Sequence, residues 1–165
     1  MSFPKMFAAA ALLVTGLLTT STEAHAGFGA TASLSSLSDG TAWYPSLDYR
    51  QKKFVLQVHA LELIGGLPKD TINLGVDGAY VVQKVELGNG VDGVVQAGAG
   101  FRLLSDTGFD NPTFNFVAKT RMGAELKKGG GFGIYAVPTV GVSSILTGET
   151  TLTYGGGLEV SFWLK

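Results

Sequence analysis

Few residues of this chain could do covalent chemistry. It contains no cysteine, which excludes disulfides, thiolate zinc sites and cysteine nucleophiles. His25 and His59 are its only imidazoles. A nucleophilic triad needs a hydroxyl beside the base and an acid that orients it. His59 is followed by Ala60 and Leu61, so there is no local His-x-Ser pair. A metal site would need more histidines or clustered carboxylates. Asp106 and Asp110 share one segment and read as solvated loop charges. The glycine clusters at 129–133 and 155–157 lack the strand-to-helix setting and the trailing Lys-Ser/Thr of a phosphate loop. Turns and tight packing account for them. No catalytic, cofactor-binding or metal residue is assigned, and no cofactor is expected.

What remains is charge. The 165 residues carry 12 basic and 13 acidic side chains, a net charge of −1, which leaves no nucleic-acid footprint. Charged residues make up 15%, against about a quarter in a typical soluble domain. Eight of them recur singly inside apolar stretches: Asp48, Arg50, Asp77, Arg102, Lys119, Arg121, Glu125 and Glu159. They divide equally by sign. An unpaired buried charge is costly while a paired, hydrogen-bonded one is tolerated, so a balanced set on one face suits a narrow polar interior.

The elements that hold these residues are strands. Apolar and polar residues alternate with period two in eight runs: 28–37, 41–50, 54–64, 71–83, 93–104, 113–126, 131–143 and 151–164. The segments between them are short and rich in Gly, Asp, Asn, Pro and Lys, as hairpin turns are. Short hairpins throughout predict a meander of antiparallel neighbours. In the last run Leu152, Tyr154, Leu158, Val160, Phe162 and Leu164 share one face, opposite Thr153, Gly155, Gly157, Glu159, Ser161 and Trp163. Residues 71–83 and 113–126 sort the same way.

Alternation alone does not say which face is inside. A soluble barrel buries the apolar face, and a membrane barrel presents it to lipid. The polar face here is small and sparsely charged, unlike a solvated sheet protected by Lys and Glu. Runs of this length fit tilted spanning strands of about 9–11 residues. Phe28, Trp43, Tyr49, Phe54, Phe101, Phe114, Phe132, Tyr154, Phe162 and Trp163 lie near run ends, compatible with interfacial girdles. Four features strain this reading. Pro45 and Pro138 fall inside runs, Glu62 falls on an apolar face, and Val55, Leu61 and Leu63 fall on a polar one.

The N-terminus has a separate pattern. Lys5 precedes the apolar stretch 7–18, polar residues follow, and Ala24-His25-Ala26 closes the segment. This three-part pattern predicts a secretory signal peptide over 1–26 and a β-barrel domain over 27–165.

On these grounds the chain resembles the small eight-stranded outer-membrane β-barrels of Gram-negative bacteria, the OmpA/OmpX type, over essentially all of 27–165. Its final strand is similar to the C-terminal signal read by the outer-membrane assembly machinery. Gly157, Val160, Phe162, Trp163 and Leu164 carry that likeness, although the chain ends on Leu164-Lys165 instead of an aromatic. The resemblance implies an all-β, up-and-down transmembrane barrel in the bacterial outer membrane. It also implies a monomer with a structural or surface role, no enzymatic activity and a lumen plugged by side chains. Its partners would be membrane lipid, lipopolysaccharide and the assembly machinery, with no nucleic acid. In such barrels both termini face the periplasm, which puts segments 38–40, 65–70, 105–112 and 146–150 outside. Two alternatives stay open: a secreted soluble β-barrel that binds a hydrophobic ligand, and an outer-membrane enzyme that modifies lipids.

Overall fold

The computed structural model describes residues 26–38, 40–60, 71–106, 112–126, 131–145 and 148–164. The segment read as a signal peptide lies outside them, apart from Ala26, as do Leu61, Glu62 and Leu63. No helix among the described residues is long and apolar enough to cross a membrane, which says nothing about crossing by strands.

The period-two runs form eight antiparallel strands. They are β1 (Ala26–Leu37), β2 (Gly40–Gln51), β3 (Phe54–Ala60), β4 (Thr71–Gly88), β5 (Val91–Asp106), β6 (Thr113–Leu126), β7 (Gly131–Ile145) and β8 (Thr150–Leu164). Each pairs with the next, and β8 returns to β1, closing a barrel. Successive partners from Gly27 run through Arg50, Val55, Ala79, Gly98, Lys119, Thr139 and Gly155 to Leu37, ten residues further along β1. Eight strands with that stagger tilt by about 40°, within the usual range for closed barrels. Closure also removes the free edges that would otherwise template aggregation.

Both prolines sit where one ladder is interrupted. Pro45 pairs with Ala32 of β1, while the β2–β3 ladder begins only at Ser46. Pro138 pairs with Gly156 of β8, while the β6–β7 ladder skips from Lys119–Thr139 to Met122–Ala136. Among the described residues, then, each proline lies beside a break or an end in one of its two ladders, where a missing N–H costs least.

β4 runs furthest past the limits that alternation suggests. A bulge between Val81 and Gln83 shifts the register of β4. Odd-numbered residues face inward before it, and even-numbered Lys84 and Glu86 do so after it, so the period-two pattern stops while the strand continues to Gly88. The hairpin then turns through Asn89 and Gly90, with φ of 54° and 77°. That is the left-handed pair an Asn-Gly turn supplies.

The faces are inverted relative to a soluble protein. Among the described residues, twenty-two large apolar side chains are exposed and nine apolar residues are buried. Seventeen polar or charged residues are buried. Leu47 is 72% exposed while Asp48 beside it is 2% exposed. An apolar interior of the kind a hydrophobic-ligand carrier needs is not what these strands enclose. The outer aromatics fall into two groups. Phe28, Tyr49, Phe54, Tyr80, Phe132 and Phe162 lie toward the end that holds the termini. Phe101, Phe114, Phe116 and Tyr154 lie toward the other. Tyr154 and Phe162 on β8 are eight residues apart, about 20 Å along the axis at this tilt. Trp163 does not join either group. Its position on β8 turns it inward, where it is 7% exposed.

Candidate functional site

Closure brings all eight sequence-singled charges into one lumen, along with partners that charge alone did not flag. Lys119 on β6 is near mid-height. Its Nζ donates to Asp77 Oδ2 at 2.6 Å, Gln57 Oε1 at 2.8 Å and Glu159 Oε1 at 3.4 Å. Those three bonds use all three ammonium protons. Arg121, two residues along the same face, has no solvent exposure. Its Nε lies 2.6 Å from Glu159 Oε2, and its terminal nitrogens donate to Gln96 Oε1 at 2.9 Å and Ser161 Oγ at 3.0 Å. Its guanidinium lies 4.2 Å from the Tyr135 ring centre.

A second arm joins the same two cations. Gln57 Nε2 donates to Asp48 Oδ1 at 3.3 Å. Thr31 donates its hydroxyl proton to Asp48 Oδ2 at 2.6 Å, and its oxygen lies 2.5 Å from Ser161 Oγ. Lys119, Gln57, Asp48, Thr31, Ser161, Arg121 and Glu159 thus form one closed polar circuit. Such networks are strong when fully satisfied and costly when one member is lost.

Toward the end away from the termini, Arg102 donates to the Tyr44 hydroxyl at 2.7 Å and lies 3.6 Å from Asp77 Oδ2. Toward the terminal end, Arg50 donates to Glu125 Oε1 at 3.0 Å and to the Tyr135 hydroxyl at 3.2 Å. It lies 3.9 Å from Asp48 and 3.7 Å from the Trp163 ring centre. Tyr135 in turn donates to Glu125 Oε1 at 2.5 Å, and Gln96 Nε2 donates to the same oxygen at 3.2 Å. Nearer the mouth Lys84 and Asp92 form an ion pair of 2.7 Å.

Several of these residues were absent from the sequence-derived set. Asp92 lies before the start of the fifth run, and Lys84 follows the bulge, so neither was placed on the inward face. Gln96, Tyr44 and Tyr135 carry no formal charge. Their strand parity, shared with Arg102, Asp48 and Val137 respectively, is the signal that could have found them. Small residues make room for the long arms. A Cβ on Gly100 would collide with Asp77 Oδ1, and one on Gly131 would collide with the Trp163 ring.

His59 is buried at 1% exposure, with Nε2 2.8 Å from Asp77 Oδ2 and its ring edge-on to Tyr44. Ser46 is its cross-strand partner, but that hydroxyl has its one proton directed to Asp48 Oδ1 at 3.3 Å or to the Thr31 carbonyl at 3.5 Å. A base must reach the proton it takes from a nucleophile that substrate can reach. Here the imidazole is committed to Asp77 and sealed from solvent, so it acts as a member of the network. Among the described residues no group of His, Asp and Glu has the arrangement of a metal site.

On β8, Val160, Phe162 and Leu164 face outward and Trp163 faces inward. A Cβ on Gly157 would meet the Leu34 carbonyl oxygen of β1, so its smallness serves the seam that closes the barrel.

No family model matches the sequence. No curated protein matches it either. Among solved structures, the crystal structure of Neisserial surface protein A is similar, with 14% sequence identity and a TM-score of 0.47, over 85% of this chain and 95% of that one. That agreement is too loose to carry an argument, and the functional reading rests on this chain's own strands and charges.

Proposed function

We propose that this chain is an integral outer-membrane β-barrel protein with a structural or surface role and no catalytic activity. The inversion of its faces carries the reading. Soluble monomers rarely expose contiguous apolar patches beyond a few hundred Å², yet here large apolar side chains cover the outside of a closed barrel whose buried positions are mostly polar. An apolar belt bounded by aromatics about 20 Å apart suits a bilayer, where closed strands satisfy every backbone group internally.

The lumen would be plugged. Beside Glu159, among Ser33, Ser35, Tyr44, Val137 and Thr139, the free space is about 10 Å³, room for at most one water. Little or no steady conductance is expected in planar bilayers. The barrel would be a monomer surrounded by membrane lipid, with lipopolysaccharide in its outer leaflet. Gly157, Val160, Phe162, Trp163 and Leu164 would serve the assembly machinery. The connections after β1, β3, β5 and β7 would face outward, carrying Asp39, Asp70, Asp106, Asp110 and Glu149 against Lys69. The opposite turns would carry Lys52, Lys53, Lys127 and Lys128.

Fractionation of expressing cells tests the reading. The protein should stay in the outer-membrane fraction through a carbonate wash, and recovery as a detergent-free periplasmic monomer would refute it. Topology has its own test in this cysteine-free chain. Thr107→Cys should react with an impermeant maleimide on intact cells, and Asn89→Cys should react only after the outer membrane is opened.

A further inference from the structure

The barrel wall has a notch at the terminal end, between β3 and β4. β3 begins at Phe54, opposite Tyr80, and Val81 N–H donates to the Lys53 carbonyl at 2.7 Å. Beyond Val81, β4 pairs only with β5 among the described residues. A cavity of about 490 Å³ fills the gap. Arg50, Glu125 and Trp163 line its lumen side. Phe54 and Val82, both exposed on the outer face, line the other side. Lys52, Lys53 and Lys84 form its lip. The notch therefore joins a charged interior to an apolar exterior, an arrangement that matches an amphiphile.

Its charge is unbalanced. Arg50 is matched by Glu125 and Lys84 by Asp92. Lys52 and Lys53 are exposed and form no ion pair among the described residues. Arg50 Nε also has no hydrogen-bond partner there. The two lysines form a two-residue turn, Lys52 at φ 51°, and so sit together at the rim. Ammonium groups bind phosphate as point charges, and a basic residue near an anionic leaflet contributes about 1 kcal/mol.

We propose that this notch binds an anionic phospholipid. The headgroup phosphate would sit on Lys52 and Lys53 with Lys84 beside it, and the first part of an acyl chain would lie along Phe54 and Val82. The ligand comes from the leaflet on the terminal side, so the inference builds on the membrane reading. The walls favour a lipid over free phosphate, because Phe54 and Val82 offer a phosphate nothing.

Native mass spectrometry of the mature chain, released from zwitterionic micelles holding equal phosphatidylglycerol and phosphatidylcholine, tests this. Phosphatidylglycerol should be retained in preference. Lys52→Gln/Lys53→Gln should lower its retention about tenfold or more, by the loss of two such charges. Lys127→Gln/Lys128→Gln, in the connection between β6 and β7, should leave it unchanged. Circular dichroism checks that each variant folds. Equal retention of the two lipids, or equal loss in both lysine variants, would overturn the proposal. So would displacement of the lipid by glycerophosphate at equal concentration. A protein found soluble on fractionation that still prefers phosphatidylglycerol would refute only the membrane reading. One found in the membrane without that preference would refute only the notch.

Discussion

The middle of the lumen and its terminal mouth are built from the same residue types, yet they carry different energetic stakes. At mid-height Lys119, Arg121, Asp77 and Glu159 are nearly sealed, and each cation meets more than one carboxylate or amide oxygen. At the mouth Lys84 is 45% exposed in its ion pair with Asp92. Water already solvates the lysine of the mouth pair, although Asp92 itself is 4% exposed, while both signs of charge are sealed at the centre. The difference teaches that in a closed barrel an ion pair matters according to its depth, since desolvation sets the cost of a stranded charge.

The largest expected effect is at the centre. Arg121→Ala takes the nearer cation from buried Glu159, which keeps only the 3.4 Å contact with Lys119, and empties space against Tyr135. It should destabilise the barrel by about 3–5 kcal/mol, read by urea titration in detergent. Stability equal to wild type would place Arg121 outside a sealed network. Gly100→Val should come next, because it drives a side chain into the position of Asp77 Oδ1 and overpacking costs about 1–3 kcal/mol. Measured against Asp77→Ala alone, its loss should shrink, because truncation of that side chain removes the atoms it collides with.

Arg50→Ala belongs between the two regions. It removes charge-assisted bonds to Glu125 and a stacking contact with Trp163, worth about 1.5–3 kcal/mol. The tryptophan emission of a Trp43→Phe background should shift with it as Trp163 loses its cover. The smallest effect should come from Lys84→Ala, about 1 kcal/mol, because its ammonium is half solvated and buried Asp92 keeps a further interaction. High salt should erase that difference while leaving the Arg121→Ala loss in place. If Lys84→Ala cost as much as Arg121→Ala, the contrast between mouth and centre would fail.

The strands themselves were legible, because period-two alternation is a local property and survives in most runs. Legibility stopped where something non-local intervened. The bulge near Val82 reverses the parity of β4, so the pattern over 71–83 ends while the strand runs on to Gly88. Lys84 was missed for that reason, and Asp92 because it lies before the start of the fifth run. Trp163 looked like a girdle aromatic by its place near the C-terminus, although its parity with Glu159 and Ser161 already pointed inward. Pro45 and Pro138 looked like faults until the ladders showed gaps beside them.

The sequence by itself determined the alternating faces, the near-equal count of opposite charges on the polar face, and the glycines small enough to sit among long arms. Those follow from residue type and spacing. Only the tertiary structure decided who meets whom. Arg50 reaches Glu125 across 75 positions of chain, and Lys119 lies between Asp77 and Glu159, from strands on either side. Such pairs depend on the number of strands and on the ten-residue stagger that closes β8 onto β1. A shift of register by two residues would keep every side chain on its face and change every partner, because period-two alternation fixes the face and leaves the height along the axis to closure.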